Sequence, residues 1–246
     1  MTNRLPVTCF ATGTVAYFDE AGHTCIDGNG EFYLSGSTYA GMFGYEFDKG
    51  MLLPRSAKRL GVAKEVVDAF WTSKAVIATS FGTALHAAME HYGKYLELSI
   101  KDGKGLGIHP TLEPIVLDFF KGREHEVAVY EPFVSDELNL RCGFIDRLLI
   151  TGHKRCIIED FKTNGDIYKK GRPAKLRAPH DHLPNQPIGK YVLQLSFYQE
   201  ILEAAGWTVE GRRLHWWAGK DWQTIELERV DILDPELTPE FAAWVE

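Results

Sequence analysis

Between residues 126 and 163 the hydrophobic repeat falls from a period near 3.6 to a period of 2. A chain that changes period in mid-course must build a sheet and pack helices on it. Upstream, residues 56–70 and 111–121 read as helices, and residues 83–98 read as a better one. There Leu85, Ala88, Met89, Tyr92 and Leu96 recur at helical spacing, and Thr83 stands where an N-cap would. Strand patterns follow at 126–134, 138–150 and 155–163, the last two around Gly152-His153-Lys154. Residues 191–205 return to a strongly apolar helix, and 207–218 with 222–230 read as a hairpin around Gly219-Lys220. Residues 1–50 read as short strands, loops and turns, 102–108 as a glycine-rich loop, and Pro235 begins an amphipathic helix. The order predicts a mixed α/β (or α+β) fold, a central β-sheet flanked by α-helices. With no internal repeat and no separating linker, residues 1–246 are expected to form one domain.

Composition removes several classes. With 45% hydrophobic and 25% charged residues, the chain is neither collagen-like nor disordered. No apolar run reaches the ~18 residues of a membrane span, and the N-terminus has no long apolar region of a signal peptide. A soluble, intracellular protein is expected. Cys9, Cys25, Cys142 and Cys156 form no C-x-x-C, so ordinary thiols are expected rather than a zinc or iron–sulfur site. The net charge of −7 speaks against a polyanion until it is mapped. Residues 221–246 hold eight acidic residues against Arg229, and the rest of the chain is neutral. Within that neutral body, Lys169, Lys170, Arg172, Lys175, Arg177 and Lys190 face a single Asp181. Local charge decides whether a polyanion docks.

Four features carry chemistry. They are His86 in Gly82-Thr-Ala-Leu-His86, Asp146 in Gly143-Phe-Ile-Asp146, Asp160-Phe161-Lys162-Thr163 after an apolar run, and Gln194-Leu-Ser-Phe-Tyr198. Asp160 and Lys162 are two apart and share a strand face. A three-residue loop over Gly152–Lys154 would set Asp146 opposite Asp160, whereas a two-residue loop would set it opposite Glu159. Two facing carboxylates repel in a plain sheet, and a divalent cation relieves this. Gln194 and Tyr198 share one face of an otherwise apolar helix, and that stripe needs polar partners.

In this order the features resemble the RecB-like, phage-exonuclease branch of the PD-(D/E)XK nuclease superfamily. Glu131, upstream of the strand ending in G-x-x-D, and the segment Tyr33-Leu-Ser-Gly-Ser-Thr38 also fit, so the resemblance covers about residues 30–205. It implies a restriction-endonuclease-like fold and a metal-dependent DNA nuclease, an exonuclease in recombination, repair or phage DNA processing. Mg²⁺ or Mn²⁺ would be held by His86, Asp146, Asp160 and the carbonyl of Phe161, with Glu131 auxiliary or structural. Lys162 would position or activate the attacking water, and Gln194 and Tyr198 would contact the DNA backbone or brace Lys162. DNA is the implied partner, with a recombination or single-strand-binding protein beside it, in the cytoplasm of a bacterial or phage-infected cell. A structure- or site-selective endonuclease and a catalytically silent DNA-binding or recombination-partner protein are the alternatives.

Departures from the pattern refine it. There is no C-terminal cysteine cluster, so no iron–sulfur cluster is expected, and no P-loop, so no nucleotide. Residues 164–189 form a long basic insert between D-x-K and Q-x-x-x-Y. Its Lys169, Lys170, Arg172, Lys175 and Arg177 are candidates to clamp DNA, against a mobile, solvated insert as the plain alternative. His180-x-His182 is a weak candidate for metal. The basic and aromatic residues at 212–222 suit base stacking, but alternation sends Trp216 and Trp217 to opposite faces, so at least one is expected in the core.

Overall fold

A computed structural model describes residues 4–45, 47–102 and 107–233, with the backbone alone for 97–102. Most of the expected glycine-rich loop at 102–108 and the helix expected from Pro235 lie outside the described residues. The chain is mixed α/β. Strands β1 (Arg4–Thr8), β2 (Val15–Asp19) and β3 (Thr24–Ile26) form a small antiparallel sheet. The next strand, β4 (Leu34–Ser35), leads into α1 (Gly36–Met42), whose N-cap Ser35 accepts from the Thr38 N–H. This short helix was not expected. Its tertiary packing forms it, with buried Tyr39 5.2 Å from Phe197.

Two long helices follow, α2 (Lys49–Leu60) and α3 (Lys64–Asp102). The break expected near Thr83 does not occur, and Thr83 lies in mid-helix. The break falls instead at Gly61, a left-handed C-cap with φ +67° that cuts the expected 56–70 helix in two. The run from 71 to 82 holds no proline, so nothing stops α3 there. Helix α4 (Glu113–Phe120) then packs beside α3.

Each of the first two expected long strands is cut in two. The first becomes β5 (Ala128–Tyr130) and β6 (Phe133–Asp136), the second β7 (Arg141–Phe144) and β8 (Arg147–Gly152). The pieces join different sheets. With β9 (Arg155–Lys162), α5 (Pro187–Ala204), β10 (Thr208–Trp217) and β11 (Trp222–Glu226), the main sheet runs β11-β10-β9-β8-β5 and a smaller one runs β4-β7-β6. Strand β9 is central, parallel to β10 and antiparallel to β8. The expected hairpin around Gly219-Lys220 is present as β10 and β11.

The core has two main layers. On one face of the main sheet, Cys156, Ile158, Leu148 and Leu214 pack with α1 and α5. On the other, Phe161 and Tyr130 pack with Leu85 and Met89 of α3 and with α4. Helix α5 is apolar nearly all round because it is buried nearly all round. Trp216 lies in the first layer and the half-buried Trp217 packs on the second, as alternation requires. Among the described residues, no helix is long and apolar enough to cross a membrane.

Candidate metal centre

The two sheets part at Ile145 and Asp146, between β7 and β8. Asp146 therefore sits at a corner, where its side chain is not confined to a ladder. Its Oδ2 accepts the Phe161 N–H at 2.7 Å and lies 3.4 Å from His86 Nδ1. Three elements thus meet here: α3 brings His86, the β7–β8 corner brings Asp146, and β9 brings Asp160 to Lys162.

The hairpin register is the one that sets Asp146 opposite Asp160, but the loop is not the three-residue one. Gly152 pairs with Arg155, leaving a two-residue turn, and an irregularity at Thr151 restores the offset, so that Arg147 pairs with Glu159. That pair lies on the opposite sheet face and is 1% exposed at both residues. Arg147 binds Glu159 through Nη1, Tyr130 Oη through Nε at 3.0 Å and Glu126 through Nη2 at 2.6 Å. His215 Nε2 lies 3.3 Å from Glu159. Burial alone would push the Glu159 carboxyl up, but His215 and Arg147 outweigh it and hold it at about 2. A one-residue slip would turn the strand's side chains over and strand these charges, costing roughly 3–5 kcal/mol. The network thereby fixes the register that sets Asp146 against Asp160.

Glu131 lies in the break between β5 and β6, with φ +51°, a left-handed conformation that a non-glycine residue adopts under constraint. Its N–H bonds the Asp146 carbonyl at 3.2 Å. His86, Glu131 and Asp146 each offer a ligand atom, and these atoms lie within 4.8 Å of one another. Burial, then Asp146 and Glu90, push the Glu131 carboxyl up to about 8. Sequence reasoning ranked Glu131 last among the ligands, yet it stands in the cluster and Asp160 does not.

Asp160 is 3% exposed and faces the α5 layer with Lys162. Lys162 Nζ lies 2.6 Å from Asp160 Oδ2, a close ion pair. Burial, with Asp146 opposing Lys162, leaves the Asp160 carboxyl up at about 6. Lys162 is shifted the other way from a buried amine: desolvation disfavours its charge, but Asp160 and Asp146 hold its proton on more tightly than usual.

Gln194 and Tyr198 do not reach Lys162 directly. Gln194 Nε2 donates to Tyr198 Oη at 3.2 Å. The Tyr198 ring instead lies between two glycines, where a methyl on Gly143 would stand 2.3 Å from Cε1 and one on Gly36 2.6 Å. The glycine of G-x-x-D and the tyrosine of Q-x-x-x-Y are thus one packing unit. The residue that braces Lys162 is Tyr191, whose ring centroid is 5.1 Å from Nζ and whose hydroxyl bonds Asn164 at 2.7 Å. Tyr191 was missed, although it lies one turn before Gln194 on the same helical face. Glu90, four residues after His86 on α3, was missed in the same way and binds Lys94 at 2.5 Å.

The insert is anchored in the core at three points while most of its residues are exposed. Ile167, Leu176 and Leu183 enter the core. His180 bonds the Tyr39 hydroxyl at 2.8 Å and is no ligand of the metal cluster. Helix α5 begins at Pro187, which shortens the insert by three residues. Lys169, Lys170, Arg172 and Lys175 are exposed. Arg177 is half-buried and structurally engaged, with its guanidinium 4.9 Å from the Tyr45 ring centroid and its backbone N–H on the Phe43 carbonyl. All four cysteines are buried and free.

No protein-family model matches this chain, and no curated protein matches it at a significant level. Function therefore has to be read from the site.

Proposed function

We propose that the chain is a metal-dependent nuclease of restriction-endonuclease-like fold that hydrolyses phosphodiesters in DNA, acting as an exonuclease of the RecB-like branch. The observation that carries the reading is the meeting of His86, Glu131, Asp146, Asp160 and Lys162 from separate segments at one sheet corner. A nitrogen and carboxylate oxygens gathered this closely suit Mg²⁺ or Mn²⁺, and the Glu131 carboxyl, pushed up first by burial and then by Asp146 and Glu90, would gain from a cation there.

His86, Glu131 and Asp146 would hold the ion, with the Phe161 carbonyl that the family resemblance adds. When bound, such an ion supplies Lewis acidity and an activated water. The chain's own residues do the rest. The Phe161 N–H fixes Asp146 by bonding its Oδ2. Asp160 and the face of Tyr191 hold Lys162 in place. Because Lys162 keeps its proton, it serves as a cation that orients the water and a phosphate oxygen rather than as a base. The products would be a 5′-phosphate and a 3′-hydroxyl. The exposed Lys169, Lys170, Arg172 and Lys175 would track the substrate backbone.

The test is a time course on single- and double-stranded DNA labelled at one end, in Mg²⁺, Mn²⁺ or EDTA. Digestion that needs the metal and releases the label at once, or shortens the strand as a ladder, supports the reading and assigns polarity. Absence of digestion of either substrate in either metal would refute it, and internal cuts would move it to an endonuclease.

A further inference from the structure

A cavity of about 370 Å³ is lined in part by Gly143 and by Tyr198, whose hydroxyl feels the charges of Asp160, Asp146 and Lys162. Its walls come from the small N-terminal sheet, from the β4–α1 junction and from β7. Phe18 and Phe144 form an aromatic wall, their centroids 5.2 Å apart and edge to face. His23 lies beyond Phe18 at 6.2 Å. Ser37 and Thr38 are exposed where they line the cavity. None of the lining residues is Lys, Arg, Asp or Glu.

Tyr33 also lines this cavity. It is only 7% exposed, yet its hydroxyl has no hydrogen-bond partner among the described residues. Native proteins rarely leave a buried hydroxyl so, and an orphan of this kind marks a missing partner. Burial, with Glu137 and Asp27 nearby, pushes this hydroxyl up to about 12, so it remains an O–H donor at neutral pH. Aromatic faces, one unmet donor, exposed hydroxyls of Ser37 and Thr38 that bond only Ser35 among the described residues, and no formal charge describe a flat, uncharged heteroaromatic ring with acceptors on its edge. They do not describe a phosphate, which would call for cations.

We propose that this cavity receives an unpaired nucleobase of the substrate strand, next to the phosphate held at the metal centre. The inference deepens the nuclease reading and rests on it. It makes the substrate a strand whose base is free to leave the stack, so the enzyme would favour single strands and frayed ends over paired duplex.

The test uses the full chain and single-stranded oligonucleotides in which one nucleotide at a time is replaced by an abasic residue. Binding is read by fluorescence anisotropy in Ca²⁺, and cleavage in Mn²⁺. In the wild type, an abasic residue at one position should weaken binding at least about fivefold, the scale of a single base–aromatic stack. Tyr33→Phe should shrink that difference, and Ser37→Trp, an exposed substitution that fills the cavity, should erase it. Both variants should keep the wild-type melting temperature and the turnover of the small phosphodiester bis(p-nitrophenyl) phosphate. A flat abasic scan in the wild type, or a position effect that neither variant changes, overturns the pocket. Base-dependent binding without any cleavage would keep the pocket and sink the nuclease reading. Absence of DNA binding would sink both.

Discussion

The packing of Tyr198 between Gly36 and Gly143 makes a quantitative prediction for Gly143→Ala. The added methyl would stand 2.3 Å from Cε1, 2.9 Å from Cζ and 3.0 Å from the hydroxyl of Tyr198. The ring cannot retreat, because a neighbouring backbone, at Gly36, already presses it with only hydrogen as side chain. Overpacking of this kind costs about 1–3 kcal/mol. In a domain of this size each kcal/mol lowers the melting temperature by roughly 2–4 °C. Gly143→Ala alone should therefore melt roughly 2–12 °C below the wild type. Tyr198→Leu removes the atoms that clash, so the alanine should cost little in that background. Urea denaturation of the wild type, both single variants and the double variant closes the cycle, and a coupling energy of at least about 1 kcal/mol is expected. Equal destabilisation by the alanine in both backgrounds would show that the two motifs are not one unit, and the reasoning would fail.

Asp146→Asn should remove most of the rise in melting temperature that Mn²⁺ gives the wild type, as followed by differential scanning fluorimetry; an undiminished rise would place the ion elsewhere. Replacing Lys169, Lys170 and Arg172 with alanine should weaken DNA binding and flatten the plot of log affinity against log salt by about 2 for a single strand, and an unchanged slope would remove the insert from the interface. His180, which faces Tyr39 and His182 and neighbours Asp181, has its pKa driven down to about 4 by burial and then by His182. It binds a proton in the unfolded chain below about 6.5 but resists one in the folded chain, so its share of stability is full above that pH and is lost as pH falls toward 4. His180→Gln should thus flatten the acid limb of stability between those values by on the order of 2 kcal/mol in urea titrations, and an identical limb in both proteins would contradict it.

Much of this arrangement is legible in the residues, for reasons that can be named. The apolar alternation around Asp160 and Lys162 places β9 correctly because a central strand buried on both faces has few other readings. The facing of Asp146 and Asp160 is anticipated as one of two registers, and a bulge at Thr151, which leaves no trace in a period-2 pattern, selects it. The cuts at Glu131 and Asp146 are hidden for the same reason. A strand that changes sheets keeps its alternation on both sides of the corner, so only the backbone reveals the break. Glu131 is underrated because its place in the cluster depends on a left-handed φ at a residue type that gives no hint of one. Tyr191 and Glu90 were within reach of helical spacing, but each looks like ordinary helix filling until the partner across the fold is known. The length of α3 is misjudged because Thr83 offers a plausible cap, whereas the real stop is Gly61.

The most direct test of the central claim separates chemistry from binding at Lys162. Lys162→Ala should bind single-stranded DNA within a few-fold of the wild type in Ca²⁺ and keep the Mn²⁺-induced stabilisation. Its cleavage rate in Mn²⁺ should fall by at least about a hundredfold, as expected when a group that orients the reacting water is lost. A variant that cleaves as fast as the wild type would contradict the assignment of this corner as the catalytic centre.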